Sequence, residues 1–444
     1  MWDSRGMPQS VSRATTPTGE RDVLIDAARA LSVLLVIVFH AGLWRVTRND
    51  GRWSAQTMDL GPIGWYGSWF VMVMPLFFLC GGYAHAIVID KMHARRTGLA
   101  HYLANRGRRL VGPTTVFITI FTIPATIAAW TGWFDEAVFI SHNLTKLLWF
   151  LVAYLFTVAM APFWVAAHDR NPWTVPLLLT LAAIAIDLWT LRVGNLDIRY
   201  LNLFFVWLGC HQIGIAHQRG FLRRGPLWQP IAAIAVGIVC IVALLNSGWP
   251  VPALGMGSRS VSNLQPPTAA MIALCLAQAG VMGLLARVDL PVLRNERFQK
   301  ALGIINALTM TIYLWHMPVV VVTFGIYIGL GMLFPVWVPF LTLPLMTLPV
   351  AFPLIALLVP QVARLDLRMI PPLGERQHGP LAAAALTLLT LSLVLVWRHG
   401  LVVHPRAIRS SLGVLGVWVG SWLLARASDW KPRAHQSGRD PAAA

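Results

Sequence analysis

The chain has 444 residues, of which 57% are hydrophobic and only 12% are charged, and its mean hydropathy is +0.63. Such a composition excludes a soluble globular domain with an ordinary polar surface. The formal net charge of +17 falls in loops between apolar runs instead of on one basic face. We therefore expect these charges to orient the chain in a lipid bilayer, and we expect no nucleic-acid partner.

Long apolar runs predict an all-α fold, a polytopic integral membrane helical bundle of about ten to twelve transmembrane helices. The runs cover residues 29–46, 63–90, 110–130, 147–167, 174–191, 200–217, 230–246, 268–286, 302–325, 336–359, 380–397 and 408–425. The last run is the weakest, because Pro405, Arg406 and Arg409 crowd its start. Residues 1–20 predict a disordered cytoplasmic tail, and residues 427–444 form a second polar tail.

The distribution of basic residues predicts the orientation of the bundle. If the N-terminus is cytoplasmic, the short loops on its side carry roughly twice as many Lys and Arg residues as the opposite loops. We therefore expect a multi-pass protein of the plasma membrane with a cytoplasmic N-terminus. The first run has no small-residue cleavage pattern, so we expect it to remain in the mature chain. All 4 cysteines lie in apolar runs without CxxC spacing, and we expect no disulfide.

The first apolar run, RALSVLLVIVFH, carries an arginine and a histidine on one helix face. Eleven positions separate Arg29 from His40, and at about 100° per residue this is three turns plus roughly 20°. The two residues would lie about 16 Å apart along the axis, Arg29 at the surface and His40 near the middle of the bilayer. An ionisable residue at that depth predicts a functional role. Asp26 either holds the Arg29 guanidinium or reflects the preference for acidic residues at helix starts.

A second candidate is the pair Arg106 and Arg109, which precedes the third run. Residues three apart lie on one helix face, here at the cytoplasmic boundary. Two guanidinium groups so placed can bind a diphosphate or the phosphorylated ribose of coenzyme A. The alternative is that both are ordinary cytoplasmic flanking charges.

His316 lies in the ninth run, two positions before Pro318, which lacks a backbone N–H and can open a polar spot in the helix. Either His316 belongs to the site or it hydrogen-bonds to a neighbouring helix. Other polar residues are expected to be packing contacts or interfacial groups. They are Asp187, Asn202, His211, Gln212 and Gln278.

Metal and nucleotide motifs do not account for these residues. His40, His211 and His316 come from separate runs without an HExxH arrangement, so we expect no metal. There is no Walker-type GxxxxGK[ST] sequence, and Gly81 and Gly82 are expected to permit close helix packing or a bend.

The loop of residues 247–267 offers a further candidate surface. Trp249, Pro250 and Arg259 either line a groove for a substrate or anchor the loop at the membrane interface.

Two early segments carry the first part of a family resemblance. RDVLIDAARALSVLLVIVFHAG at 21–42 resembles the opening helix of the membrane-bound acyltransferase-3 family, whose mark is an arginine, ten residues and a histidine. Arg29 and His40 match that spacing. PLFFLCGGY at 75–83 is similar to the family's second helix with its two phenylalanines, although Gly81 stands where many members have serine.

Later segments continue the resemblance in the family's order. Arg106 and Arg109 match its arginine pair, LLWFLVAYL at 147–155 looks like its fourth helix, and YLWHMPV at 313–319 looks like its late histidine segment. SNLQPPT at 262–268 is similar to a subgroup of actinobacterial members. These matches predict an acyltransferase-3-like domain over residues 21–360, followed by an additional transmembrane pair over 361–426 that no family motif matches.

The resemblance implies transfer of an acyl group, most often acetyl, from cytoplasmic acyl-CoA to a glycan, glycolipid or other exported acceptor. It implies that His40, Arg29 and His316 form the catalytic group and that Arg106, Arg109 and Arg29 bind acyl-CoA, without a metal. His40 would act as a general base on the acceptor hydroxyl or amine, or it would be acylated itself.

Two other classes of function fit the composition. A secondary transporter also has ten to twelve spans with buried ionisable residues, but the two halves of this chain show no evident repeat. A membrane scaffold without catalysis is the third possibility, and it would keep its function after His40→Ala.

Overall fold

The computed structural model describes residues 22–49, 52–256, 261–343, 345–370 and 373–428. The predicted tail at 1–20, the tail at 427–444 beyond its first two residues, and Arg259 lie outside the described residues. Within them, ten helical stretches are long and apolar enough to cross a membrane. The chain is a polytopic helical membrane protein, as the apolar runs predict.

The longer helices follow one another with short connections. They are α1 (Val23–Gly42), α2 (Gly61–Val71), α3 (Met74–Ala94), α4 (Leu99–Trp130), α5 (Phe134–Thr145), α6 (Trp149–Arg170), α7 (Thr174–Val193), α8 (Asn202–Gln218), α9 (Trp228–Asn246), α10 (Ala270–Leu285), α11 (Glu296–Leu333), α12 (Leu348–Met369), α13 (Gly379–His399) and α14 (Ile408–Ala427). Between α1 and α2, strands β1 (Trp44–Asn49) and β2 (Arg52–Thr57) pair antiparallel.

The start of α1 defines one end of the bundle. Asp22 caps the first turn of α1, and its carboxylate accepts hydrogen bonds from Tyr83 of α3 and from Arg223. Asn306 of α11 donates to the carbonyl of Asp26 at 2.9 Å. The start of α1 therefore meets the middle of α3 and the first third of α11 here, at what we call the Asp22 end. The β-hairpin lies at the opposite end, which we call the β-hairpin end.

A second ionic cluster fixes three helices at the Asp22 end. Arg219, just after α8, donates to Asp90 of α3 and to Asp169 of α6 over distances of 2.6–2.9 Å. The hydrogen bonds from these carboxylates, first of all from Asp90, raise the pKa of Arg219 above its ordinary value. The cluster connects the ends of α3, α6 and α8 by charge-assisted hydrogen bonds.

Helices α3 and α8 pack backbone against backbone. A Cβ atom at Gly82 would overlap the carbonyl oxygen of His211, and one at Gly214 would overlap that of Leu79. Only glycine permits so close an approach. A Cβ at Gly81 would meet its nearest neighbour at an ordinary 3.5 Å. The expected close packing is thus confirmed for Gly82, while Gly81 leaves room for a small side chain.

The other polar residues in the spans mostly join helices, as expected. Asp187 of α7 accepts from the side chain of Asn202, the indole of Trp249 and the backbone N–H of Ala269. Across α3, α6 and α8, hydrogen bonds pair His85 with His211 and His168 with Gln212. Gln278 donates to the carbonyl of Met72. These hydrogen bonds hold neighbouring helices together within the spans.

In two places a predicted run extends beyond the helix that it contains. The first run does not continue to residue 46, because α1 ends at Gly42 and the chain turns into strand β1. The tenth predicted run does not begin a long helix at residue 336. The proline-rich residues 335–343 form short turns of helix, and α12 starts only at Leu348. In both places the apolar composition persists after the helix has ended, so hydropathy alone misplaces the boundary.

Candidate active site

A cavity of about 490 Å³ lies within the bundle and reaches from the Asp22 end towards the β-hairpin end. Its walls come from α1, α3, α4, α6 and α11, together with residues of α2, the β-hairpin and the loop before α10. All five site residues predicted from the sequence line this one cavity: they are Arg29, His40, Arg106, Arg109 and His316. The structure therefore brings together residues that lie as far as 287 positions apart.

Three arginines line the cavity at the Asp22 end. Arg29 comes from the second turn of α1, and Arg106 and Arg109 from the first turns of α4. No aspartate or glutamate is among the described residues that line the cavity. Three guanidinium groups without a carboxylate among the described lining residues give this end of the cavity a positive charge, which is complementary to an anion.

The two arginines of α4 differ in their surroundings. Arg109 is exposed, whereas Arg106 is half-buried. The Nε atom of Arg106 is shielded from solvent, and within the described residues it has no hydrogen-bond partner. A shielded donor without a partner is costly. Arg106 is thus prepared to donate to a bound acceptor group.

His40 and His316 meet between the two ends of the cavity. Their ring centroids are 5.1 Å apart, with the rings inclined at 59°. His40 lies in the last turn of α1 and His316 near the middle of α11. His316 does not hydrogen-bond to a neighbouring helix: its Nδ1 contacts carbonyls of its own helix, those of Tyr313 at 2.7 Å and Ile312 at 3.3 Å.

The backbone fixes the tautomer of both histidines. The Nδ1 atom of His40 lies 2.8 Å from the carbonyl oxygen of Val36. A carbonyl oxygen can only accept a hydrogen bond, so Nδ1 carries the hydrogen in each neutral ring. The lone pair is then on Nε2, and Nε2 of His316 has no partner among the described residues. Each ring therefore presents a nitrogen that can accept a proton.

Aromatic rings form the wall beside the histidines. Phe150 of α6 lies 5.1 Å from Phe77, 5.7 Å from Tyr154 and 4.9 Å from Tyr313, measured between ring centroids. The hydroxyl of Tyr313 donates to the carbonyl of Leu147. Segments 75–83, 147–155 and 313–319, each singled out in the sequence, thus build one wall.

At the β-hairpin end the lining residues that the structure describes carry no charge. Trp44 and Thr57, which pair across the hairpin, line the cavity with Leu254, Met256 and Gln265. The buried side chain of Arg199 donates to the carbonyls of Ser262 and Pro266, which flank Gln265 along the chain. Gln265 itself is exposed.

Trp249 does not take either of the two roles considered for it. It is buried, and its indole donates to Asp187 at 2.9 Å. Pro250 accepts from Asn263 through its carbonyl. These residues fix the loop against α7, and the loop lines the cavity through other residues, such as Leu254 and Gln265. An aromatic residue next to a span therefore did not by itself indicate an interfacial or lining position.

The lining also includes polar residues that were not named as candidates from the sequence, among them Tyr154, Gln265, Asn306 and Tyr313. Asn306 had a recognisable signal, since it is an amide within an apolar run. The tyrosines lie in motif segments that were noted for other residues. Gln265 lies in the loop 247–267 that was considered as a candidate surface, but the residues named there were others. Among the described residues, no group of three or more His, Cys, Asp or Glu side chains suited to a metal ion occurs.

Comparison with known proteins gives one match. A family model described as an acyltransferase domain, that of acyltransferase-3, matches residues 22–356, which are 335 of the 444 residues. No curated protein and no solved structure matches the chain.

Proposed function

Because the chain belongs to the acyltransferase-3 family, we propose that it transfers an acyl group, most often acetyl, from cytoplasmic acyl-CoA to an exported or membrane-associated acceptor such as a glycan or glycolipid. The observation that carries this proposal is the single cavity that joins three arginines to the pair His40 and His316. Its anion site and its histidines lie about one extended pantetheine arm apart, since eleven helical residues span about 16 Å.

The donor would enter at the Asp22 end. Arg106, Arg109 and Arg29 would bind the phosphate groups of coenzyme A, which are polyanionic and well matched by guanidinium groups. The thioester would then reach the histidines beside the aromatic wall. This assignment places the Asp22 end in the cytoplasm, where acyl-CoA is found, and the β-hairpin end on the opposite side of the plasma membrane.

The chemical step follows from the lone pair on Nε2. The acceptor hydroxyl attacks the thioester carbonyl while Nε2 of His40 removes its proton. The tetrahedral intermediate collapses, the carbon–sulfur bond breaks, and the proton on Nε2 passes to the departing thiolate. The products are the acylated acceptor and coenzyme A, and His40 returns to its starting form. His316, 5.1 Å away, would orient His40 or share its proton.

The acceptor would enter from the β-hairpin end. Its lining of Trp44, Thr57, Leu254, Met256 and Gln265 has no charged side chain, which suits an uncharged polar group better than an ammonium ion. A covalent acyl-His40 intermediate is the alternative route, and acylated protein after incubation with donor alone would identify it. Membership of the actinobacterial subgroup, suggested by residues 262–268, stays a prediction.

The test is thiol release from acetyl-CoA by the purified full-length protein with an extract of membrane lipids and glycans as acceptor. We expect His40→Ala to lower the rate by about 10²–10⁴-fold, the usual contribution of a general base, while CoA binding is retained. We expect Arg106→Ala with Arg109→Ala to weaken CoA binding.

Matched controls lie outside the cavity. His93→Ala replaces an exposed histidine at the end of α3, and Arg95→Ala with Arg96→Ala replaces an exposed pair in the following turn. Both should leave rate and binding unchanged. If the folded wild type neither binds CoA nor consumes acetyl-CoA, but moves a solute across the membrane of vesicles, the protein is a transporter and the proposed enzyme function is wrong.

A further inference from the structure

The last two helices, α13 and α14, lie outside the part of the chain that the family model matches. We call them the C-terminal pair. They pack on each other and on α4, and α13 also contacts α5 and α6. Since α4 and α6 both line the cavity, the C-terminal pair lies directly behind two of its walls.

At the level of its arginines, one face of α4 lines the cavity and another face contacts the C-terminal pair. Arg106, Arg109 and Leu110 line the cavity, and they fall within an arc of about 100° around the helix. Gly107 lies outside that arc. A Cβ at Gly107 would be 2.9 Å from Cδ2 of Leu386 in α13 and 3.2 Å from Cδ2 of Leu424 in α14. The C-terminal pair therefore packs against α4 on a face next to the one that carries the arginine pair.

The contact continues along α4 in steps of four residues from Gly107. The hydroxyl groups of Thr115 and Ser421 are 2.6 Å apart, and the indole of Trp418 donates to the hydroxyl of Thr119 at 2.9 Å. A stripe with this spacing stays on one side of a helix. The C-terminal pair is thus aligned with α4 by polar contacts above a packed apolar contact at Gly107.

The C-terminal pair is itself a closely packed unit. A Cβ at Gly420 would lie 2.6 Å from Cγ of Leu389, and one at Gly413 would lie 3.0 Å from the backbone nitrogen of Val396. Small residues at such positions allow two helices to approach closely. The pair can therefore act on α4 as one rigid body instead of as two loosely placed spans.

We propose that the C-terminal pair sets the position of Arg106 for donor binding, with Leu386 and Leu424 as its positioning residues. The Nε atom of Arg106 has no partner in the described residues, so the location of the guanidinium follows from where the backbone of α4 is held. At this level Leu386 and Leu424 pack against that backbone at Gly107, on the face of α4 beside the arginines. The proposal rests on the proposed function, because it takes Arg106 to bind the phosphate groups of CoA.

The test is Gly107→Leu in the full-length protein, with CoA as the probe in equilibrium dialysis. The added isobutyl group meets the terminal methyl groups of Leu386 and Leu424, and we expect its volume, which is far larger than one methyl group, to displace α4 and shift the guanidinium. We expect the Kd for CoA to rise about tenfold or more, the size of one lost charge-assisted hydrogen bond. We expect kcat at saturating acetyl-CoA to change less than about threefold, because His40 is held by α1.

Rescue separates positioning from general damage. In Gly107→Leu with Leu386→Ala the added volume is removed from the facing helix, and we expect the Kd to return to within about threefold of the wild type. Gly237→Leu is the matched control: a Cβ there would lie 2.6 Å from the carbonyl of Ala273, in the contact of α9 with α10. It should lower the melting temperature and leave the Kd of the folded fraction unchanged.

The outcomes are distinguishable. If the wild type binds CoA and the folded Gly107→Leu protein binds it equally well, the positioning role is wrong and the proposed function stands. Failure of Leu386→Ala to restore binding overturns the positioning role as well. If the folded wild type does not bind CoA, the donor assignment fails and this proposal fails with it.

Discussion

Arg106 and Arg109 lie three residues apart on α4, yet their surroundings give them different expected weights in binding. The Nε atom of Arg106 is shielded from solvent beside the cavity, and Arg109 is exposed. A charge away from water interacts more strongly with a bound anion, whereas an exposed charge is screened by salt. Sequence spacing alone makes the two residues equivalent, and only their depth separates them.

This difference predicts unequal losses of CoA affinity. Arg106→Ala should weaken CoA binding about tenfold more than Arg109→Ala, and Arg106→Lys should not restore it, because lysine cannot donate in the bidentate geometry. The measurement is the Kd for CoA at about 50 mM and 500 mM salt. Between these concentrations the Debye length, over which charges are screened, falls from roughly 14 Å to 4 Å. The contribution of Arg109 should fall with salt more than that of Arg106. Equal losses at both positions would show that depth is unimportant.

Of the two adjacent glycines in α3, only Gly82 is required for the close contact with α8. Gly82 lies against the carbonyl of His211, and Gly81 has ordinary space around it. The contact holds α3 in register with α8, and α3 contributes Phe77 to the aromatic wall. Close packing at Gly82 thus supports the wall from the side away from the cavity.

We expect Gly82→Ala to destabilise the protein by more than about 3 kcal/mol, because the new methyl group overlaps a backbone oxygen that no side-chain rotation can relieve. Gly81→Ala is the matched control one residue away and should change stability by less than about 1 kcal/mol. Thermal unfolding of both variants in the same detergent is the measurement. Similar melting temperatures for the two variants would contradict this account of the helix contact.

For the molecule as a whole, the orientation of the cavity decides which substrate enters where. Short connections at the Asp22 end carry Arg95, Arg96, Arg223 and Arg287, and basic loops face the cytoplasm. In the orientation that we propose, the arginines of the cavity would lie on the cytoplasmic side, and the described hairpin-end lining, which carries no charge, would lie on the opposite side. An enzyme so oriented can take a soluble donor from one side of the membrane and an acceptor from the other.

Thiol labelling in intact cells tests this orientation. In a background with Cys240→Ser, which removes the exposed cysteine, we expect Thr131→Cys at the β-hairpin end to react with a membrane-impermeant maleimide. Ala94→Cys at the Asp22 end should react only after permeabilisation. Both positions are exposed, so accessibility within the fold is matched. The reverse pattern of labelling would place the arginines outside the cell and remove the access of acyl-CoA to them.

The sequence by itself determined the membrane bundle and the candidate residues Arg29, His40, Arg106, Arg109 and His316, because apolar length, helical spacing and motif order are local properties of a chain. Only the tertiary structure decided that these residues line one cavity, that both histidines present Nε2, and that Trp249 supports a loop instead of a groove. Such facts depend on contacts between helices distant in sequence. The support of Arg106 by Leu386 and Leu424 is of the same kind, since 279 and 317 positions separate Gly107 from the leucines that press on it.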